Sequence, residues 1–175
     1  VCTDIIEIDQ KQLYAYKGGR VEFRFGDAPL PDTEAGQAGV AEEMMARFVT
    51  LADLARERGL GLIVGLITGW MSGRLFMPPG LEGRNPLTDP VALMWETRFV
   101  RYFVSQLKDH PAVLAWDLGN ECDCQGEAPT REAAWTWTSA IVNAIRATDP
   151  SRPVVSGMTG MTVSPRGPWT IADQG

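Results

Sequence analysis

Two short stretches of this chain are apolar without alternation: Leu60-Gly61-Leu62-Ile63-Val64-Gly65-Leu66-Ile67 and Val113-Leu114-Ala115-Trp116-Asp117-Leu118. A half-exposed antiparallel strand alternates apolar and polar side chains. A short run that is apolar on both faces suits a strand covered on both sides, as in a parallel sheet. Parallel strands need long crossovers, most often helical, and helical patterns lie where such crossovers belong. Over residues 40–58, Met44, Met45, Phe48, Leu51, Leu54 and Ala55 recur at helical spacing, and Gly59 supplies the stop. A second helix is predicted from Pro90 to about Lys108, with Asp89 as N-cap and Pro90 at its first position. A third is predicted from about Thr130 to Ala147, followed by a short strand over 154–158. The isoleucine-rich residues 2–8 read as an earlier strand. Strands alternating with helices indicate an α/β fold with a parallel sheet.

Two segments interrupt that alternation. Residues 13–16 and 21–25 flank Lys17-Gly18-Gly19-Arg20 and predict a β-hairpin insert near 11–25. Residues 26–39 read as a loop. Residues 69–89 form a longer loop holding Trp70, Arg74 and Phe76. A loop of that length inside a compact domain is usually functional. No linker is evident, so residues 1–175 read as one domain or one piece of a domain.

Composition narrows the function. Acidic residues number 22 and basic residues 16, giving a net charge of −6. That balance offers no footprint for nucleic acid or an anionic membrane. No apolar run approaches the roughly 20 residues that span a bilayer. The first residues do not form a signal-peptide pattern. They do not begin with Met either, so the location of the parent protein stays open. Cys122 and Cys124 are one residue apart, which fits neither a redox Cys-x-x-Cys nor a zinc-finger pair. They read as loop residues, with a disulfide left open. His110 is the single histidine, which argues against a Ser-His-Asp or Cys-His triad carried on this chain. No glycine-rich phosphate loop follows any strand, against a nucleotide-binding domain.

The chemistry concentrates at Trp116-Asp117-Leu118-Gly119-Asn120-Glu121. This segment closes a predicted parallel strand at its C-terminal end, where α/β active sites lie. A carboxylic acid there can serve as a general acid, and the neighbouring amide can bind a hydroxyl. Asp117 lies inside the strand and needs a partner. Trp70 opens the long loop, where its ring can stack on a sugar or simply pack the loop. Trp95 reads as core. Trp135 and Trp137 cannot share one helix face. Arg74, Asp123 and Glu127 read as solvated loop charges.

The segment 116–121, preceded by Asp109-His110-Pro111-Ala112-Val113-Leu114-Ala115, resembles the fourth-strand signature of clan A retaining glycoside hydrolases. These are (β/α)₈ barrels, and the nearest likeness is to the family 5 cellulase and mannanase group. The resemblance implies a partial TIM barrel covering about strands two to five. It implies that Glu121 is the catalytic acid/base and that Asn120 beside it binds substrate; Trp70 is a further substrate-binding candidate from its place at the start of the long loop. The substrate would be a β-linked oligo- or polysaccharide, with no metal or organic cofactor. A polysaccharide substrate would suit an extracellular parent. A whole barrel takes about 250 residues, and the clan's nucleophile Glu sits near the end of the seventh strand, outside these 175 residues. The chain alone is therefore expected to be inactive. The competing expectation is a non-catalytic carbohydrate-binding or structural barrel.

Overall fold

The computed structural model describes residues 21–160 and 163–174. The predicted strand over 2–8, and the predicted hairpin up to residue 20, lie outside the described residues.

A three-stranded parallel sheet organises the fold: β3 (Leu62–Gly65), β6 (Val113–Asp117) and β7 (Val154–Val155), with β6 in the middle. Helix α2 (Glu42–Glu57) leads into β3, α3 (Pro90–Leu107) crosses from β3 to β6, and α4 (Arg131–Arg146) crosses from β6 to β7. This is the expected strand–helix alternation. The helix starts follow the predicted chemistry. Asp89 accepts hydrogen bonds from the N–H groups of Val91 and Ala92, and Pro90 occupies the first turn. Thr130 caps α4 through Ala133 N. Each cap satisfies donors the helix cannot satisfy itself, contributing about 1 kcal/mol.

The segments read as loops hold more order than expected. β1 (Arg24–Phe25), the end of the 21–25 segment, pairs in a tight hairpin with β2 (Ala28–Pro29) inside 26–39, and Thr33 caps the one-turn helix α1 (Glu34–Gln37). The turn falls at Gly26-Asp27 because Gly26 adopts φ +60°, a conformation glycine reaches without strain. Within 69–89, β4 (Trp70–Met71) and β5 (Arg74–Leu75) form a second hairpin.

Helices cover one face of the sheet. Val64, Val113 and Trp116 point into that core together with Val100, Val104, Leu107, Trp137, Ile141 and Ile145, all buried. Trp137 is fully buried and Trp135 is 55% exposed, the division their two-residue spacing requires. Two polar links cross the core. Trp116 Nε1 donates to Asp149 Oδ2 at 2.8 Å, and Trp137 Nε1 donates to Glu96 Oε2 at 2.9 Å. A buried indole N–H needs such a partner. Trp95 packs edge-on against Phe23 at 4.4 Å, in a smaller cluster with Leu81.

The opposite face of the sheet carries apolar side chains in the open. Ile63 is 64% exposed, Leu114 57% and Val155 42%. The β3–β6 register slips between Leu62 and Ile63: Leu62 pairs with Val113, but Ile63 pairs with Ala115, leaving Leu114 as the extra residue. A bulge of this kind adds one residue to one strand and resets its alternation. It explains how Val113 and Trp116, three residues apart, both reach the helix-covered core.

Candidate active site

The C-terminal ends of the three strands converge on the segment that follows β6. Beyond the regular strands the ladder continues, with Leu66 N donating to Asp117 O at 3.0 Å, Ile67 N to Leu118 O at 2.9 Å and Leu118 N to Val155 O at 3.0 Å. The backbones crowd there. A Cβ at Gly119 would sit 1.8 Å from the Ile67 carbonyl oxygen, and one at Gly157 would sit 1.7 Å from the Gly119 carbonyl oxygen. Only glycine fits either place.

Glu121 lies two residues past this crossing in a left-handed conformation, φ 46° and ψ 50°. For a residue with a side chain this costs roughly 1–2 kcal/mol. The turn separates the Glu121 side chain, which is partly exposed, from Cys122, Asp123, Cys124 and Gln125, all buried. Asn120 is exposed and donates from Nδ2 to the Trp70 carbonyl oxygen at 2.8 Å. Asn120 and Trp70 are thus joined beside Glu121, across fifty positions of sequence.

The surroundings hold this turn rigid. Gln125, buried, donates from Nε2 to the Ile67 carbonyl. Asp117 accepts from Gly119 N at 3.2 Å. Its partial burial raises its pKa, against the lowering effect of that hydrogen bond. Its partner is thus backbone N–H. Cys122 and Cys124 are free buried thiols. Cys122 donates to Ser156 O at 2.7 Å. Burial, with Asp117 and Asp123 nearby, pushes the Cys122 thiol up to about 12, so it is no nucleophile at neutral pH. Among the described residues, no three His, Cys, Asp or Glu side chains group to hold a metal.

Two residues differ from the sequence reading. Asp123, read as a solvated loop charge, is 2% exposed. It accepts from Thr159 N at 2.8 Å and Thr159 Oγ1 at 3.0 Å. It ties the segment after β7 to the Glu121 turn, and those donors compensate its burial. Arg166 lies in the tail beyond β7, where the sequence carries no strand or helix periodicity. Its guanidinium lies 5.0 Å from the centroid of the Trp70 ring, a cation–π contact. Its backbone is anchored next to the site: Arg166 N donates to Ser164 Oγ at 3.1 Å, Ser164 Oγ donates to Asp123 O at 3.0 Å, and Ala128 N donates to Arg166 O at 3.2 Å. One face of Trp70 is therefore taken by Arg166. Arg74 lies on exposed β5, as a solvated charge would.

Known proteins match this architecture. The model for the TIM barrel domain of glycosyl hydrolases family 2 matches residues 82–163, which include α3, β6, the Asn120-Glu121 turn, α4 and β7. The mannan endo-1,4-beta-mannosidase F of Aspergillus fumigatus is 25% identical over 151 residues, covering 83% of this chain and 33% of that protein. Among solved structures, an exo-beta-1,4-mannosidase from Opitutaceae bacterium strain TAV5 superposes with a TM-score of 0.63 at 31% identity, covering 68% of this chain and 22% of that one. GH5_18 from Streptomyces cattleya, in complex with GlcNAc, gives 0.62 at 25% identity over 67% of this chain and 30% of that one. The chain spans about a third of the length of the curated relatives it matches. It resembles the clan A glycoside hydrolases, and its fold is part of their (β/α)₈ barrel, with β3, β6 and β7 as consecutive barrel strands.

Proposed function

We propose that these residues form the second to fifth βα units of the single catalytic barrel of a retaining glycoside hydrolase, acting on β-linked glycans with Glu121 as its general acid/base. The observation that carries this reading is the position of Glu121. It ends the central parallel strand in a strained left-handed turn, next to an Asn120 fixed to the Trp70 carbonyl. Strained backbone held by rigid surroundings is a common mark of a working site. The names of the relatives, mannosidases among them, favour a β-mannoside as the glycan.

In the first step a carboxylate from a later strand attacks the anomeric carbon. The bond to the leaving sugar breaks, and the Glu121 proton passes to the leaving oxygen. In the second step the Glu121 carboxylate takes a proton from water as that water attacks the anomeric carbon, and the bond to the nucleophile breaks. The two carboxyl groups would stand about 5–5.5 Å apart in the complete barrel. Asn120 and the open side of Trp70 bind the sugar. The 175-residue chain alone supplies one of the two carboxyl groups and does not turn over substrate.

Glu121→Gln in the full-length protein tests this. Turnover of an unactivated β-mannan should fall by about 10²–10⁴, the usual contribution of a positioned acid/base, while mannan binding persists. Full activity in that variant would remove Glu121 from the mechanism. Turnover by the isolated chain at the full-length rate would remove the second carboxylate.

A further inference from the structure

A cavity of about 570 Å³ lies against the β4–β5 hairpin. Its apolar walls include Leu66, Ile67, Phe76 and Phe99. Neither Asn120, Glu121 nor Trp70 lines it, whereas Gly69 and Met71, on either side of Trp70, do. Alternation along β4 explains the split, since successive side chains point to opposite faces. The hairpin thus borders, through Met71, a space that Asn120, Glu121 and Trp70 do not line.

Among the described residues, three side chains bring a hydroxyl, amide or carboxyl group to the apolar walls: Thr68, Gln125 and Glu96. Gln125 is committed to the Ile67 carbonyl. Glu96 is the most buried ionisable group among them, and its placement is unusual for a carboxyl group. It projects from α3, is 7% exposed, and has Oε2 held by Trp137 Nε1 at 2.9 Å. Burial raises its carboxyl to about 8, so at neutral pH it is mainly an uncharged acid that can donate one hydrogen bond. Volume, apolar walls and one or two placed polar groups are the common form of a small-molecule site.

We propose that this cavity binds an uncharged, largely apolar small molecule that offers one hydroxyl or carbonyl oxygen to Glu96. Charge on the ligand is disfavoured: among the described residues the walls supply no cation to a carboxylate, and an ammonium would have to be desolvated together with the buried Glu96 carboxylate, at a cost of several kcal/mol. A ligand without oxygen would fill the space but leave Glu96 without its acceptor. The site is independent of glycan hydrolysis and is read by binding alone.

Isothermal titration of the full-length protein with 4-ethylphenol, ethylbenzene and 4-ethylbenzoate tests the assignment. The phenol should bind saturably and about tenfold more tightly than ethylbenzene, the worth of one good hydrogen bond. The benzoate should bind more weakly than either. Glu96→Leu should bring the phenol down to the level of ethylbenzene, and Phe99→Trp, which adds bulk one helical turn from Glu96, should weaken both. If Glu96→Leu does not fold, the three-ligand comparison and Phe99→Trp decide the matter. No saturable binding of the phenol, equal binding of the benzoate, or phenol binding unchanged in Phe99→Trp would each overturn the proposal.

Discussion

Replacing Glu96 by Gln should make the full-length protein more stable at neutral and alkaline pH, and slightly less stable in acid. In the folded protein burial lifts this carboxyl from the ordinary 4.5 to about 8, against the lowering effect of the Trp137 hydrogen bond. An acid whose folded pKa is raised contributes its full stability below the unfolded pKa and loses it as pH rises through the folded one. The loss therefore runs from pH 4.5 to about 8. At pH 7 the wild-type protein has lost about 3 kcal/mol, at roughly 1.4 kcal/mol per pH unit. The glutamine amide keeps an acceptor for Trp137 Nε1 and carries no charge, but its buried NH₂ costs about 1 kcal/mol. The expected difference is thus about 1 kcal/mol in favour of wild type near pH 4, reversing to about 2 kcal/mol in favour of the variant at pH 7. Urea unfolding of both proteins, followed at several pH values from 4 to 9, measures it. A difference that stays flat across that range would refute the claim that Glu96 is held neutral by burial.

Three further outcomes follow from the same packing. Gly119→Ala should destabilise by about 3 kcal/mol or more, since its Cβ would meet the Ile67 carbonyl at 1.8 Å; a thermal midpoint within a degree of wild type would contradict that close approach. Asp149 is 2% exposed and holds Trp116, Ser151 and Arg152. These contacts lower its pKa despite the opposing effect of burial, so its contribution is present at neutral pH and lost as pH falls below the ordinary 3.8. Asp149→Asn should cost about 3 kcal/mol at pH 7 and much less at pH 2, seen by denaturant titration at both. Arg166→Ala should raise KM for the glycan several-fold with kcat nearly unchanged, and Arg166→Lys should recover part of it, if the guanidinium holds the Trp70 ring in place; a fall in kcat alone would point elsewhere.

The parts of the fold carried by periodicity were open to reading. The apolar runs became β3 and β6, and Asp89, Pro90 and Thr130 began helices where cap chemistry requires. The Asn120-Glu121 position at a strand end followed from the same pattern. What escaped depends on contacts between distant residues. Nothing local marks Glu121 as left-handed, because the turn is imposed by the approach of Gly119 to Ile67 and of Gly157 to Gly119. Asp123 looks solvated until Thr159 is brought to it from beyond β7. Arg166 acquires meaning only through the Trp70 ring.

The extra residue at Leu114 works like a frame shift written in space. A strand reads its side chains in twos, so one inserted position exchanges inside for outside in everything downstream. Because of it, Trp116 enters the helix layer to meet Asp149, and Asp117 falls on the side of Val155. Delete one residue between Val113 and Trp116, and the phase is lost for the rest of the strand. The indole would be turned away from Asp149, and the Asn-Glu turn would leave the sheet in the opposite sense. The direction in which the Glu121 turn leaves the sheet is thus set several residues upstream, at Leu114.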